Sequence, residues 1–261
     1  MKLSIIIPVY NSSKILKTLL DSIHTHVASL VGESLEVILI NDKSLDDSWS
    51  EIKRMKIKYN YIKGINLRKN YGQHSAIFCG LKNCSGDKII CMDDDMQHDP
   101  KHIPKLINQL DNYDVCYVKY VKREHNYFKI LISQINNLVS SFLMSKSIKI
   151  YTSSFKCFNK TINNKIIAND DTFVFLDYWI FKYSRKITSI DVTHNKRLFG
   201  KTNYGFKELL TLWSKMIFLI EVEKKNFKYF IILIIRFFFR TFLKSYISYR
   251  KKISIEIQEI I

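Results

Sequence analysis

Ile89-Ile90-Cys91-Met92-Asp93-Asp94-Asp95-Met96-Gln97 runs from an apolar tetrad straight into three carboxylates. The tetrad reads as a buried strand, so the acids stand at its carboxyl end. Three adjacent acids repel one another, and a bound cation removes that cost. Alternate side chains of an extended segment share a face, so Asp93 and Asp95 can converge, with Gln97 next in line. Hard oxygen ligands of this kind suit Mg2+ or Mn2+, which completes its shell with water and substrate phosphates. His98 and His102, four residues apart, raise the thought of zinc. No third soft ligand lies near, and both histidines read as decoration of a helix start.

Outward from this stretch, short apolar runs alternate with helical patterns. Leu3–Pro8, Leu35–Ile40, Tyr61–Leu67, Lys88–Met92 and Val115–Val118 read as buried strands. Lys14–His26, Asp47–Tyr59, His74–Lys82 and Ile103–Leu110 carry apolar residues at helical spacing. Ser12 or Ser13 caps the first helix in this reading, Asp46 the second, and Pro100 opens the fourth. The alternation predicts an α/β fold, a mainly parallel sheet with helices on both faces. Ligands of such sheets bind outside the carboxyl ends of the strands. Two further strand ends carry chemistry: Ile40-Asn41-Asp42-Lys43-Ser44 and Pro8-Val9-Tyr10-Asn11. A carboxylate and an aromatic at adjacent strand ends can hold a ribose and a base. No G-x-G-x-x-G and no G-x-x-x-x-G-K-[ST] occurs, which disfavours a dinucleotide dehydrogenase or a P-loop enzyme.

The chain has 261 residues and a formal charge of +17, which draws anions such as phosphates and lipid head groups. Its five cysteines form no Cys-x-x-Cys pair and sit largely in apolar runs, as reduced thiols of a cytosolic protein do. Leu3–Val9 is too short an apolar run for a signal peptide. Composition shifts after Phe206, dividing the chain into an α/β domain, 1–205, and a C-terminal helical segment, 206–261. Within the latter, Tyr229–Leu243 is aromatic and aliphatic but interrupted by Arg236 and Arg240. A bilayer span needs about 20 mostly apolar residues. This segment therefore reads as lying in a membrane interface, with packing on protein as the alternative. Aromatics in Lys224–Arg240 are massed rather than interleaved with the basic residues, so nucleic acid is not the expected partner.

Taken in order, these residues resemble the family 2 glycosyltransferases of GT-A fold, nearest the dolichyl-phosphate mannose synthase group and its bacterial polyprenyl-phosphate sugar transferase relatives. The resemblance spans roughly Leu3 to Leu212 and also rests on Asn70-Tyr71-Gly72-Gln73-His74, Ser153-Ser154-Phe155-Lys156 and Arg197-Leu198-Phe199-Gly200-Lys201-Thr202. It implies that Pro8, Tyr10, Asn11 and Asp42 contact the nucleoside, with Asp94 beside it. Asp93, Asp95 and Gln97 would surround the metal on the donor diphosphate. Lys119 falls where the family often has Arg, and Arg197 matches the basic residue of a phosphate-closing loop, with Lys201 beside it. Three further positions depart from the family pattern: Ser12 replaces an acid, Lys43 a Gly, and Asn203 a Lys.

A departing nucleoside diphosphate gains negative charge, which a metal and positioned cations stabilise. Asp177, in an apolar context, is the candidate general base, with Asp171 in reserve. A polyprenyl phosphate acceptor needs no base; a sugar hydroxyl does. The expected activity is an inverting hexose transfer from a UDP- or GDP-sugar to polyprenyl phosphate, peripherally at the cytoplasmic face of the cell membrane. Transfer to a hydroxyl of a lipid-linked or surface glycan is the alternative, and self-assembly into a homo-oligomer is left open.

Overall fold

A computed structural model describes residues 1–121, 127–168, 175–193, 232 and 255–261. The five expected strands appear within a few residues of their expected bounds, as β1 (Leu3–Val9), β2 (Leu35–Asn41), β3 (Ile62–Leu67), β4 (Lys88–Cys91) and β5 (Val115–Val121). Between them lie α1 (Ser13–Ile23), a single turn α2 (Ser29–Val31), α3 (Ser48–Lys58), α4 (Gln73–Asn83) and α5 (Ile103–Gln109). Then come α6 (Tyr127–Met144), β6 (Lys156–Asn159), α7 (Lys160–Ile167), α8 (Leu176–Tyr183), β7 (Ile187–Thr193) and, after the undescribed stretch, β8 (Ile257–Ile260).

One eight-stranded sheet runs in the order β7-β5-β6-β4-β1-β2-β3-β8. β1 pairs in parallel with β2 and β4, β2 with β3, and β5 with β7; β6 and β8 run against their neighbours. β1 is buried on both faces, which is why it reads as a continuous apolar run. Its alternate residues feed two cores. Leu3, Ile5, Ile7 and Val9 pack with α1, α3 and α5, while Ile6 packs with α4, α7 and α8. Each fully buried Leu or Ile contributes about 1.5–3 kcal/mol. Close packing of α4 depends on Gly80, where a Cβ would come within 2.6 Å of Ile6 Cγ2.

Of the two expected caps, the first holds in position only and the second is corrected. Ser12 stands at the N-cap of α1 but its side chain makes no capping bond; Asp46, from the β2–α3 loop, accepts from the Ser13 amide at 3.0 Å instead. The N-cap of α3 is Asp47, and Asp46 accepts from Ser48 N–H at 3.0 Å. Pro100 does open its turn, with Asp99 capping Lys101 N–H.

The C-terminal segment expected to be helical lies outside the described residues over 206–254, except for helical, fully buried Ile232. Its last residues differ from that expectation: Ile257–Ile260 is a strand on the β3 edge of the sheet. Among the described residues no helix is long and apolar enough to cross a membrane.

Candidate active site

Because β4, β1 and β2 are neighbours and parallel, their carboxyl ends bring Asp93, Tyr10 and Asp42 to one edge of the sheet. Asp94 ties two of these ends together. Its Oδ2 accepts from Ser12 Oγ at 2.5 Å and from Tyr10 N–H at 3.3 Å. Burial pushes the Asp94 carboxyl up to about 6, against those hydrogen bonds. Asn11 sits in the left-handed region at φ 54°, which Asn tolerates. Its amide donates to Ser44 Oγ at 3.0 Å and its Oδ1 accepts from Leu45 N–H at 2.7 Å. The first and second strand-end loops are thereby locked to each other.

Asp42 is 3% exposed. Its two oxygens accept from Tyr71 N–H at 2.7 Å and Gly72 N–H at 2.8 Å. Burial raises this carboxyl, and the two amides pull it back. Gly72 holds φ +85° at the N-cap of α4, a conformation glycine adopts without steric cost. Asp42, expected as a nucleoside contact, also organises the loop that opens α4. Pro8 lies inside β1 and is buried, whereas Tyr10 is 47% exposed and available for stacking.

The acidic triplet is divided by its partners. Asp93 Oδ1 accepts from Gln73 Nε2 at 2.6 Å, and Oδ2 from Ser154 Oγ at 2.7 Å. The Asp93 amide donates to His98 Nδ1 at 2.9 Å, which assigns the imidazole proton of a neutral ring to Nε2. That nitrogen lies 3.8 Å from Asp93 Oδ2 and 3.4 Å from Ser154 Oγ. His98 is 5% exposed and its ring stacks with those of Phe155 and Tyr120. It is no surface decoration of a helix start, as its sequence position implied, but a buried prop for Asp93. Asp95 Oδ1 accepts from Gln97 N–H at 3.1 Å.

No three His, Cys, Asp or Glu side chains among the described residues gather as a metal cluster. The donor chemistry still fits a small hard cation. Each carboxylate oxygen keeps lone-pair capacity beyond one hydrogen bond, and such ions commonly use one or two carboxylates plus water and substrate phosphates. Asp95 and Asp93, with Gln97 nearby, are the oxygen donors available for that purpose.

Lys119, on β5, stands across from Asp191 on β7, with Nζ 3.8 Å from Oδ1 and both side chains well exposed. Arg197, Lys201 and Asp171 lie outside the described residues. Asp177, the expected base, is buried as its apolar context implied, but it is also paired. It is 3% exposed in the first turn of α8, paired with buried Lys156 and accepting from Tyr117 Oη at 2.7 Å. Its charge is matched inside the protein, and nothing in this placement favours proton abstraction from an acceptor. Gln73, Ser154 and His98 are the partners that sequence reasoning missed. Gln73 and Ser154 stood within quoted motifs, yet a lone hydroxyl or amide carries no signal of what it will bond.

Comparison with known proteins gives this geometry a context. The family described as glycosyl transferase family 2 matches residues 4–175. Undecaprenyl-phosphate 4-deoxy-4-formamido-L-arabinose transferase of Salmonella typhimurium is 32% identical over 218 residues, covering 83% of this chain and 66% of that protein. Its counterpart in Photorhabdus laumondii is 32% identical over 213 residues, 81% of this chain and 65% of that one. The chain thus spans just under two thirds of the length of these relatives. Mycobacterium tuberculosis glucosyl-3-phosphoglycerate synthase, solved with Mn2+, UDP and phosphoglyceric acid, superposes at a TM-score of 0.63 with 15% identity, over 86% of this chain and 80% of that one. S. aureus TarS 1–349, solved with UDP, gives 0.53 and 18%, over 86% and 68%. At these identities the structures speak to the fold, which is the GT-A arrangement of a mainly parallel α/β sheet. The match over 172 of 261 residues, on the stretch that builds the strand-end acids, decides the family: this chain belongs to glycosyl transferase family 2.

Proposed function

We propose that the chain moves a sugar from a UDP- or GDP-sugar to a polyprenyl phosphate, with inversion, at the cytoplasmic surface of a membrane. The observation that carries this reading is the strand-end assembly of Asp93, Asp94 and Asp95 beside Tyr10, where two carboxylates have separate props and a third lies next to them. Support for the acceptor comes from the undecaprenyl-phosphate specificity in the names of the relatives. Support for a nucleoside diphosphate and Mn2+ comes from their presence in the similar folds.

In this mechanism Tyr10 stacks on the base, and the Asp42-ordered loop frames the nucleoside. Asp93 and Asp95, with Gln97, would hold Mg2+ or Mn2+, which when bound would supply positive charge against the leaving diphosphate. Gln73, Ser154 and His98 keep Asp93 from swinging away, so little reorganisation is needed as charge develops. Arg197, Lys201 and Lys119 are the cations assigned to phosphate. A phosphate oxygen of the acceptor attacks the anomeric carbon as the bond to the diphosphate breaks. That nucleophile is already anionic, which agrees with Asp177 being engaged by Lys156.

The test is a transfer assay with a panel of UDP- and GDP-sugars, with undecaprenyl phosphate and a lipid-linked oligosaccharide as competing acceptors. Label in the lipid phosphate supports the proposal. Label in the oligosaccharide alone moves the activity to hydroxyl transfer, and hydrolysis or no turnover with every donor counts against it.

A further inference from the structure

The strand β8 is tied to the candidate donor site by more than its place in the sheet. Its backbone pairs with β3, where Gly64 N–H donates to Ile261 O at 3.0 Å and Ile261 N–H to Gly64 O at 2.9 Å. A Cβ at Gly64 would approach Ile261 Cγ1 to 2.8 Å, so the position leaves room for that side chain. Glu259 accepts from Trp49 Nε1 at 3.1 Å and pairs with Lys53 at 2.8 Å. The residue entering β8, Glu256, then turns its main chain to the β3–α4 loop. Its carbonyl accepts from Arg68 N–H at 3.0 Å, and its amide donates to Tyr71 Oη at 3.0 Å.

Tyr71 is the point at which these contacts meet the site. Its own amide donates to Asp42, the next amide does the same, and Gln73 reaches Asp93. One short loop therefore joins the acid after β2, the acid after β4 and the strand β8. Covering an exposed sheet edge would explain the β3 pairing, but not a hydrogen bond to a hydroxyl beyond the end of β3.

We infer that Tyr71 and Glu256 are positioning residues for the nucleotide donor. The Glu256 amide, fixed by β8, holds the Tyr71 side chain, and through it the Tyr71-Gly72-Gln73 run in the arrangement that orients Asp42 and Asp93. This inference rests on the donor reading above.

Calorimetric titration of UDP and GDP in Mn2+ tests it on the full chain, with thermal melting alongside. Tyr71→Phe keeps the ring, its packing and the Lys69 cation–π contact, and removes only the hydroxyl. Its nucleotide Kd is expected to rise about three- to tenfold, the worth of one hydrogen bond, with little change in melting. Glu256→Pro removes the amide donor together with the exposed Arg68 ion pair, and should raise the Kd at least as much. The double variant should add little, because both substitutions break the same bond. Wild-type binding with an unchanged Kd in Tyr71→Phe overturns the inference and leaves the donor reading standing. Lower melting with an unchanged Kd would likewise reduce the contact to edge cover and overturn it. A wild-type chain that binds neither nucleotide overturns the donor reading and this inference with it.

Discussion

Ser154 and Asp93 meet through a 2.7 Å hydrogen bond across 61 residues of sequence. The bond joins the segment entering β6 to the acid leaving β4, two strands that run antiparallel side by side. With Gln73 on the other oxygen, it fixes the rotation of a carboxylate assigned here to the metal and diphosphate. Ser154→Ala should therefore lower kcat by about tenfold, the scale of one hydrogen bond to a charged group, and raise the Mn2+ concentration for half-activation. Melting should stay near wild type. Unchanged kcat and Mn2+ dependence would remove Ser154 from the site.

The Lys156–Asp177 pair is buried at both ends, with Tyr117 as a third member. Breaking such a pair leaves one charge stranded and costs about 3–5 kcal/mol. Lys156→Met should show that loss in urea unfolding, and adding Asp177→Leu should recover much of it. Asp177→Asn should destabilise the fold while leaving the shape of the pH–rate profile intact. A lost acidic limb of that profile would restore Asp177 as a general base.

Lys43 occupies φ +57° in the loop after β2, where the family pattern has glycine. A left-handed conformation costs a side-chain-bearing residue roughly 1–2 kcal/mol, part of which glycine returns through its looser unfolded chain. Lys43→Gly should thus stabilise the protein by about 1 kcal/mol in chemical denaturation. A loss of stability would mean that the exposed lysine makes a compensating contact.

Sequence made the first five strands legible because burial on both faces leaves long apolar runs such as Leu3–Val9. It also located Asp93, Asp94 and Asp95 correctly at a strand end. β6 escaped because Lys156-Cys157-Phe158-Asn159 is four residues long and half polar, and only its position between β4 and β5 makes it a strand. β8 escaped because its apolar residues gain their meaning from pairing with β3, nearly 200 positions away. His98 was misread for a similar reason: its neighbours in space, Tyr120 and Phe155, are remote in sequence.

Asp94 gives a pH dependence with a definite sign. Burial raises its folded pKa from 3.8 to about 6, so the native state holds a proton that the unfolded chain has already released. Stability from this group is complete below pH 3.8 and is lost as pH climbs through about 6. Asp94→Asn keeps an oxygen acceptor for Ser12 and Tyr10 without the charge. In EDTA it should melt higher than wild type at pH 7.5 and close to wild type at pH 3.5, a difference followed by melting across that range. A variant that melts lower at pH 7.5 would contradict the burial argument.

The acids after β4 are assigned to hold a donor diphosphate through a divalent cation. The initial rate of sugar transfer to undecaprenyl phosphate during a Mn2+ titration, wild type against Asp95→Asn, tests that assignment. Wild type should show a saturable Mn2+ response, and the variant a rate at least about 100-fold lower at every Mn2+ concentration, the scale on which loss of one strong transition-state charge contact is felt. Asp95→Asn turning over at the wild-type rate with the same Mn2+ response would contradict it.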